Sequence, residues 1–171
     1  MAKNIEIKAS MEDIEFCLNK ARVLAGCEPE IIKQEDYFFN CENGRLKLRI
    51  FSSDRGELIF YNRENISGPK TSEYYISGTD DPKELLHVLK KAYGIYGKVK
   101  KVRRLFIAGR TRIHLDQVVG LGDFLEFEVV LSENDKPADG EAEANRLLDQ
   151  FGIKKSDLIE CAYVDLISSS H

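Results

Sequence analysis

Alternation between charged and aliphatic residues recurs along this chain and limits what it can fold into. It is plainest at Arg45-Leu46-Lys47-Leu48-Arg49-Ile50. Successive side chains of a strand project to opposite faces, so this spacing predicts a strand. Leu46, Leu48 and Ile50 then form a face that needs burial, while Arg45, Lys47 and Arg49 set three like charges on the other. A single strand of this kind describes the solvent side of an antiparallel sheet. Several of them, all turning charge to one side, describe charged faces around a common space.

The pattern repeats. Asn4 to Ala9 sets Ile5 and Ile7 against Asn4, Glu6 and Lys8. In Ile31 to Asn40, Gln34, Asp36 and Phe38 share a face opposite Tyr37 and Phe39, and the turn Cys41-Glu42-Asn43-Gly44 joins this segment to Arg45–Phe51 as a hairpin. After Ser53-Asp54-Arg55-Gly56, Glu57 to Arg63 places Glu57, Tyr61 and Arg63 together, with Leu58 and Phe60 behind them. Lys70, Ser72 and Tyr74 alternate with Thr71, Glu73 and Tyr75. Further on, Lys101 and Arg103 align with Val99 and Leu105 within Lys98 to Ile107. Arg112, His114 and Asp116 oppose Thr111, Ile113 and Leu115 in Arg110 to Asp116. Gly120-Leu121-Gly122 then leads into Asp123 to Ser132, where Glu126 and Glu128 oppose Leu125, Phe127, Val129 and Leu131.

Three segments carry the helical period instead. Met11 to Ala25 follows a Ser10/Asp13 capping box and stops before Gly26. Asp81-Pro82-Lys83-Glu84 starts a helix that buries Leu85, Leu86, Leu89 and Ala92 and ends at Gly94. Glu141 to Phe151, closed by Gly152, is the third. Ser156 to Glu160 reads as one more helical turn and Tyr163 to Ile167 as a last short strand. No repeat or linker divides the chain, so residues 1–171 are expected to form one domain, long enough to bury a core without staples.

Charge excludes some functions. A formal net charge of -4 argues against a dedicated nucleic-acid binder, yet it leaves room for a pocket that concentrates cations on an anionic ligand. No apolar run reaches membrane length and the start lacks a signal-peptide core, so no membrane partner and a cytoplasmic location are expected. The four cysteines have no metal-ligand spacing.

Sorted by face, the cations are Lys8, Lys47, Arg49, Arg63, Lys70, Lys101, Arg103 and Arg112, with Arg45 at one strand's end; the anions are Glu6, Asp36, Glu57, Asp116, Glu126 and Glu128. Taken singly, Glu126 and Glu128 describe a solvated strand face, and Arg112, His114 and Asp116 a salt-bridge ladder. Their joint occurrence on at least six strands, above apolar faces that can pack under helices, favours a sheet curled with charge inside. Closing such a sheet removes its edges and leaves a lumen. Unpaired charge there costs several kcal/mol per ion, so the lumen charges must be paired, hydrated or ligand-bound. Arg and Lys suit phosphates, and carboxylates beside them suit Mg2+ or Mn2+.

Asn4-Ile-Glu-Ile-Lys8, Gln34-Glu-Asp36-Tyr-Phe38, Gly44-Arg-Leu-Lys-Leu-Arg49, Tyr61-Asn-Arg63, Lys101-Val-Arg103, Thr111-Arg-Ile-His-Leu-Asp116 and Gly120 to Glu128 together resemble the CYTH superfamily, which contains class IV adenylate cyclases and thiamine triphosphatases and is also called the triphosphate tunnel metalloenzymes. The resemblance implies an α+β fold: a closed or nearly closed eight-stranded antiparallel β-barrel with a charged interior and amphipathic helices outside. It implies metal ligands at Glu6, Asp116, Glu126 and Glu128, with Mg2+ or Mn2+ as cofactor. Triphosphate clamps fall at Lys8, Lys47, Arg49, Arg63, Lys70, Lys101, Arg103 and Arg112, and Glu6, Lys8 and His114 at catalytic positions. The family's first strand reads Glu-x-Glu-x-Lys, and Asn4 stands where its first Glu would be, which removes one negative charge from the metal site. The function expected is a metal-dependent phosphohydrolase of inorganic triphosphate, thiamine triphosphate or a nucleoside triphosphate. The alternatives are a class IV adenylate cyclase, which releases pyrophosphate from ATP, and a polyphosphate- or nucleotide-binding module without turnover.

Overall fold

The strands succeed one another mostly through short turns, and the helices fall at three breaks in that succession. The computed structural model describes residues 2–63, 65–66 and 68–169, Ala2 and Arg63 by backbone alone. Its elements are β1 (Ala2–Ser10), α1 (Ile14–Ala25), β2 (Glu30–Phe39), β3 (Arg45–Ser52), β4 (Arg55–Arg63), β5 (Lys70–Thr79), α2 (Pro82–Tyr93), β6 (Ile95–Ala108), β7 (Thr111–Val118), β8 (Gly122–Leu131), α3 (Pro137–Gln150), a 3-10 turn at Lys155–Asp157, β9 (Leu158–Ile159) and α4 (Tyr163–Ser169). Eight strands pair antiparallel in the order β5-β4-β3-β2-β6-β7-β8-β1, and β1 closes the ring on β5 through the register Ala2↔Tyr74 to Glu6↔Lys70. Beyond that stretch, Lys8 and Ala9 pair with β9 on the same edge of β1. The expected closed barrel is therefore present, with one added strand.

The apolar faces lie outside, as their alternation requires. Ile5, Ile7, Ile113, Leu115, Leu125, Phe127 and Val129 pack against Cys17, Leu18 and Ala21 of α1 and against Ala144, Leu147 and Leu148 of α3. Leu48, with Leu46, Ile50 and Leu58, packs under Leu85, Leu86 and Leu89 of α2. Each fully buried side chain of this size contributes roughly 1.5–3 kcal/mol, so the helices are held by the outer faces of the strands. No helix among the described residues is long and apolar enough to cross a membrane.

The caps refine the helix starts. Asp81 accepts from the Glu84 amide at 3.2 Å, and Pro82 opens α2 as expected. α1 begins at Ile14 rather than Met11, because the Met11 amide still pairs with the Asp123 carbonyl at 3.0 Å. Asp13 is its cap, accepting from the Phe16 amide at 2.9 Å, and Gly26 at φ 70 closes it.

One expectation fails at the C-terminal end: Tyr163 to Ile167 is helical, not a strand. Its β-branched residues mimic strand composition, but Asp165 reaches back to the Ala162 amide at 3.2 Å, the return bond of a capping box. Arg45 Nη2 at 2.7 Å and Tyr96 Oη at 2.9 Å hold the same carboxylate. The Arg45 charge therefore anchors α4 to the barrel end.

Gly97 of β6 lets α4 approach this closely. A Cβ added there would lie 2.4 Å from Val164 Cγ2. Overpacking of this kind costs about 1–3 kcal/mol. Gly97→Ala should lower the thermal midpoint accordingly, and Val164→Ala in the same chain should restore most of the loss, as read by a calorimetric melt.

Candidate active site

The inward faces enclose a cavity of about 630 Å3 to which all eight barrel strands contribute, among them through Glu6, Asp36, Lys47, Ile59, Ser72, Lys101, Arg112 and Glu126. Lys8, Arg49, Arg103, His114 and Glu128 also line it. The period-2 alternation thus brings together most of the residues singled out from the sequence. Three placements differ. Lys70 is buried opposite Glu6 of the neighbouring strand, and its ammonium donates to the carbonyls of Glu160 at 2.6 Å and Ile66 at 3.3 Å. Asp116 is fully buried beneath the wall. The Arg63 side chain lies outside the described residues.

Lumen charges are organised around carboxylates. Asp36 accepts from Arg49 Nε at 2.8 Å and Nη2 at 2.9 Å, and lies 3.2 Å from Lys47 Nζ. Burial pushes its carboxyl up, but Arg49 and Lys47 outweigh burial and hold it well below the usual carboxylate range. The Gln34 side-chain oxygen, oriented by the donors around it, accepts from Arg49 Nε at 2.7 Å. Asp116 accepts a fork from Arg103 Nε and Nη2, both at 2.7 Å, and Lys101 Nζ lies 3.3 Å away. Burial raises its carboxyl too, and Arg103 and Lys101 overcome that. With both oxygens engaged by these donors and by Tyr163, Asp116 orients the clamps.

The third carboxylate cluster is of another kind. Among the described residues, His114, Glu126 and Glu128 bring ligand atoms to within 4.8 Å of one another. His114 Nδ1 is 3.4 Å from Glu126 and 3.8 Å from Glu128. Arg103 Nη2 at 3.0 Å and Lys8 Nζ at 3.8 Å flank Glu126, and Arg112 Nε lies 3.3 Å from Glu128. Burial pushes the Glu126 carboxyl up, whereas Lys8, His114 and Arg103 hold it well below its usual range. Asn4 and Glu6 line the same cavity, and Glu6 is in register with Glu128 on the neighbouring strand. Asn4 is 3% exposed, and its side-chain oxygen has no hydrogen-bond partner among the described residues. A buried acceptor without a donor costs about 1–3 kcal/mol, and a hard cation between Asn4 and the carboxylates would satisfy it. The donor set of carboxylate and amide oxygens with one imidazole fits Mn2+ or Mg2+.

The lysines are poised for an anion. Burial, then repulsion from Arg49, brings the Lys47 ammonium down to about 8. Burial and Arg103 bring Lys101 down to about 7. Both retain less charge near neutrality than a surface lysine does, and an anion would restore it.

Tyr163 was not visible as a site residue in the sequence. α4 carries it into the barrel end, where its hydroxyl donates to Asp116 Oδ2 at 2.9 Å. Lys8 Nζ sits 4.1 Å and Lys101 Nζ 4.8 Å from its ring centroid. The ring therefore closes that end and holds two clamp lysines by cation–π attraction. Nothing local in Cys161 to Ile167 signals this contact, which depends on the tertiary path of the chain.

Comparison with known proteins agrees with the barrel. A protein of Methanocaldococcus jannaschii, provisionally named an adenylate cyclase, is 24% identical over 169 residues, covering 95% of this chain and 97% of its own. The PH1012 protein of Pyrococcus horikoshii OT3 superposes with a TM-score of 0.78 at 22% identity, over 95% of this chain and 98% of that one. HpAC1 of Hippeastrum, a provisionally named adenylyl cyclase described as having a dominant triphosphatase activity, gives a TM-score of 0.67 at 15% identity, over 99% and 96% of the two chains. The CYTH domain model matches residues 2–163, so the chain belongs to the CYTH domain family.

Proposed function

We propose that this protein is a divalent-metal-dependent phosphohydrolase acting on a triphosphate-containing substrate held in the barrel lumen. One observation carries the reading: clamp cations and an oxygen-rich ligand cluster share one cavity. Among the described residues, Lys8, Lys33, Lys47, Arg49, Arg55, Lys101, Arg103 and Arg112 line it together with Glu6, Glu30, Asp36, Glu57, Glu126 and Glu128. The carboxylates offset most of that cationic charge, so a triphosphate is expected to bring a divalent cation with it. Glu126, Glu128, Glu6, Asn4 and His114 would hold a divalent ion, which when bound supplies Lewis-acid neutralisation of phosphoryl charge. With Asn4 in place of a carboxylate, an ion bound beside it is held more weakly than a second carboxylate would hold it.

The chain's own residues bind and orient. Arg49 and Arg103, each fixed by a carboxylate fork, present their remaining donors to phosphate oxygens with little conformational freedom left to lose. Lys8 and Lys101, seated on the Tyr163 ring, add mobile point charges. Tyr163 itself excludes water from that end. His114, 3.4 Å from Glu126 and 3.8 Å from Glu128, helps hold both carboxylates in place beside the ion's site.

A second reading, cyclisation of ATP with release of pyrophosphate, is favoured by the name of the M. jannaschii relative and uses the same clamps. The purified protein should be given Mg2+ or Mn2+ with inorganic triphosphate, thiamine triphosphate, ATP and GTP, scoring orthophosphate, pyrophosphate and cyclic nucleotide together. Orthophosphate release is the expected result. Cyclic AMP with pyrophosphate would replace the hydrolase by the cyclase, and tight binding without turnover would leave only a binding module.

Binding should also weaken with alkalinity. Lys101 and Lys47 titrate near 7 and 8 in the free protein. The bound anion favours their charged forms, so they take up protons on binding. At fixed metal, the triphosphate Kd should rise between pH 7.5 and 9 by up to about ten-fold per pH unit for each lysine that must be protonated. A flat profile in calorimetric titrations would remove these lysines from the clamp.

A further inference from the structure

The clamp arginines are held in two different ways. Arg49 and Arg103 each give an aspartate a two-donor fork, and the Arg103 side chain is 7% exposed. Arg112 has no such fork. Its side chain is 33% exposed, and its Nε lies 3.3 Å from Glu128 without a hydrogen bond among the described residues. What fixes the end of this long side chain is Tyr74, whose hydroxyl oxygen accepts from Arg112 Nη2 at 3.0 Å.

That bond joins distant parts of the wall. Arg112 stands on β7 and Tyr74 on β5, with β8 and β1 between them in the ring. Both residues line the cavity, so the guanidinium reaches past two strands to be held. The ring that holds it is itself fixed: Tyr74 lies opposite Tyr61 of β4 and packs against the cluster that contains Phe38, Ile59 and Tyr163. A hydroxyl placed in advance spares the ordering cost when a ligand arrives.

A phenol does here what a carboxylate cannot. The aspartates that orient Arg49 and Arg103 also offset their charge, whereas a neutral hydroxyl takes one of the five guanidinium N–H donors and leaves the charge whole. Glu128 offsets Arg112 only while it stays beside it. When Glu128 turns to a metal ion, Arg112 keeps its place through Tyr74 and meets a phosphate as an uncompensated cation.

From this geometry we propose that Tyr74 is a positioning residue: its hydroxyl sets the Arg112 guanidinium for a phosphate oxygen of the bound triphosphate without neutralising it. The proposal rests on the triphosphate reading given above.

Calorimetric titration of inorganic triphosphate in Ca2+ would compare the wild type with Tyr74→Phe, Arg112→Met and the two together, with melting curves to show that each variant folds. Tyr74→Phe removes only the hydroxyl. It should raise Kd about five-fold, the scale of one net hydrogen bond. In the Arg112→Met background the same change should leave Kd within about two-fold, because the hydroxyl acts only through the guanidinium. A packing role would cost the same in both backgrounds. An unmoved Kd in Tyr74→Phe, or equal losses with and without Arg112, overturns the proposal while triphosphate binding stands. If the wild type does not bind triphosphate, the proposed function falls and this role with it.

Discussion

Glu128→Gln should lower kcat on a triphosphate by on the order of 10^3-fold, the scale of transition-state charge stabilisation that a correctly held divalent ion provides. Glu126 is already occupied by Arg103, Lys8 and His114. Glu128 keeps 17% of its side chain accessible to the lumen and is flanked by Arg112 at 3.3 Å. It is therefore the carboxylate freest to turn towards a cation beside Asn4. The substitution preserves volume and one oxygen while removing the charge, so folding should survive and a near-normal melting curve is expected. The metal concentration at half-maximal rate should rise along with the fall in kcat. Unchanged kcat and metal dependence would show that the ion is held elsewhere.

Arg103→Met should destabilise the free protein by about 3–5 kcal/mol, the cost of leaving buried charge uncompensated. Arg103 gives Asp116 two donors at 2.7 Å and gives Glu126 a third at 3.0 Å. Asp116 is 0% exposed and Glu126 6%, so the guanidinium supplies donors that bulk water does not. Burial lowers the Arg103 guanidinium, but Asp116 and the two glutamates outweigh it and hold it above its ordinary value. Arg103→Lys should recover only part of the loss, because an ammonium cannot span both carboxylates with fork geometry. Denaturant unfolding of the two variants reads the difference directly. A loss below about 1 kcal/mol for Arg103→Met, the range of an exposed pair, would contradict the keystone role.

The barrel was legible because a closed antiparallel sheet repeats one local rule. Period 2 put Lys47 and Arg49 on one face and Leu46, Leu48 and Ile50 on the other, since slipping the register by one residue would exchange the faces. The recurrence of that split along the other strands turned the charged face inward. Helix α2 was legible from its Asp-Pro-x-Glu start. Where the account from sequence went astray, the deciding contact was tertiary. Lys70 has the inward spacing, yet its ammonium is engaged by the carbonyls of Glu160 and Ile66. Asp116 and His114 alternate on one face and differ by one pleat; only the reach of Arg103 decides that the aspartate is consumed and the imidazole joins the glutamates. Likewise Arg45 reads as a lumen cation until α4 brings Asp165 to it. α4 escaped recognition because seven residues carry too little helical period to outweigh their β-branched composition.

The central claim is that a lumen whose cations are largely offset by carboxylates accepts a triphosphate only together with a divalent cation. Titrating inorganic triphosphate and ATP into the protein with Mn2+, and again with the metal chelated, tests it most directly. Affinity for the better of the two should rise at least about 100-fold with the metal, a gain of roughly 2.7 kcal/mol, and should fall back in Glu128→Gln. Equal affinity with and without Mn2+ would contradict the claim.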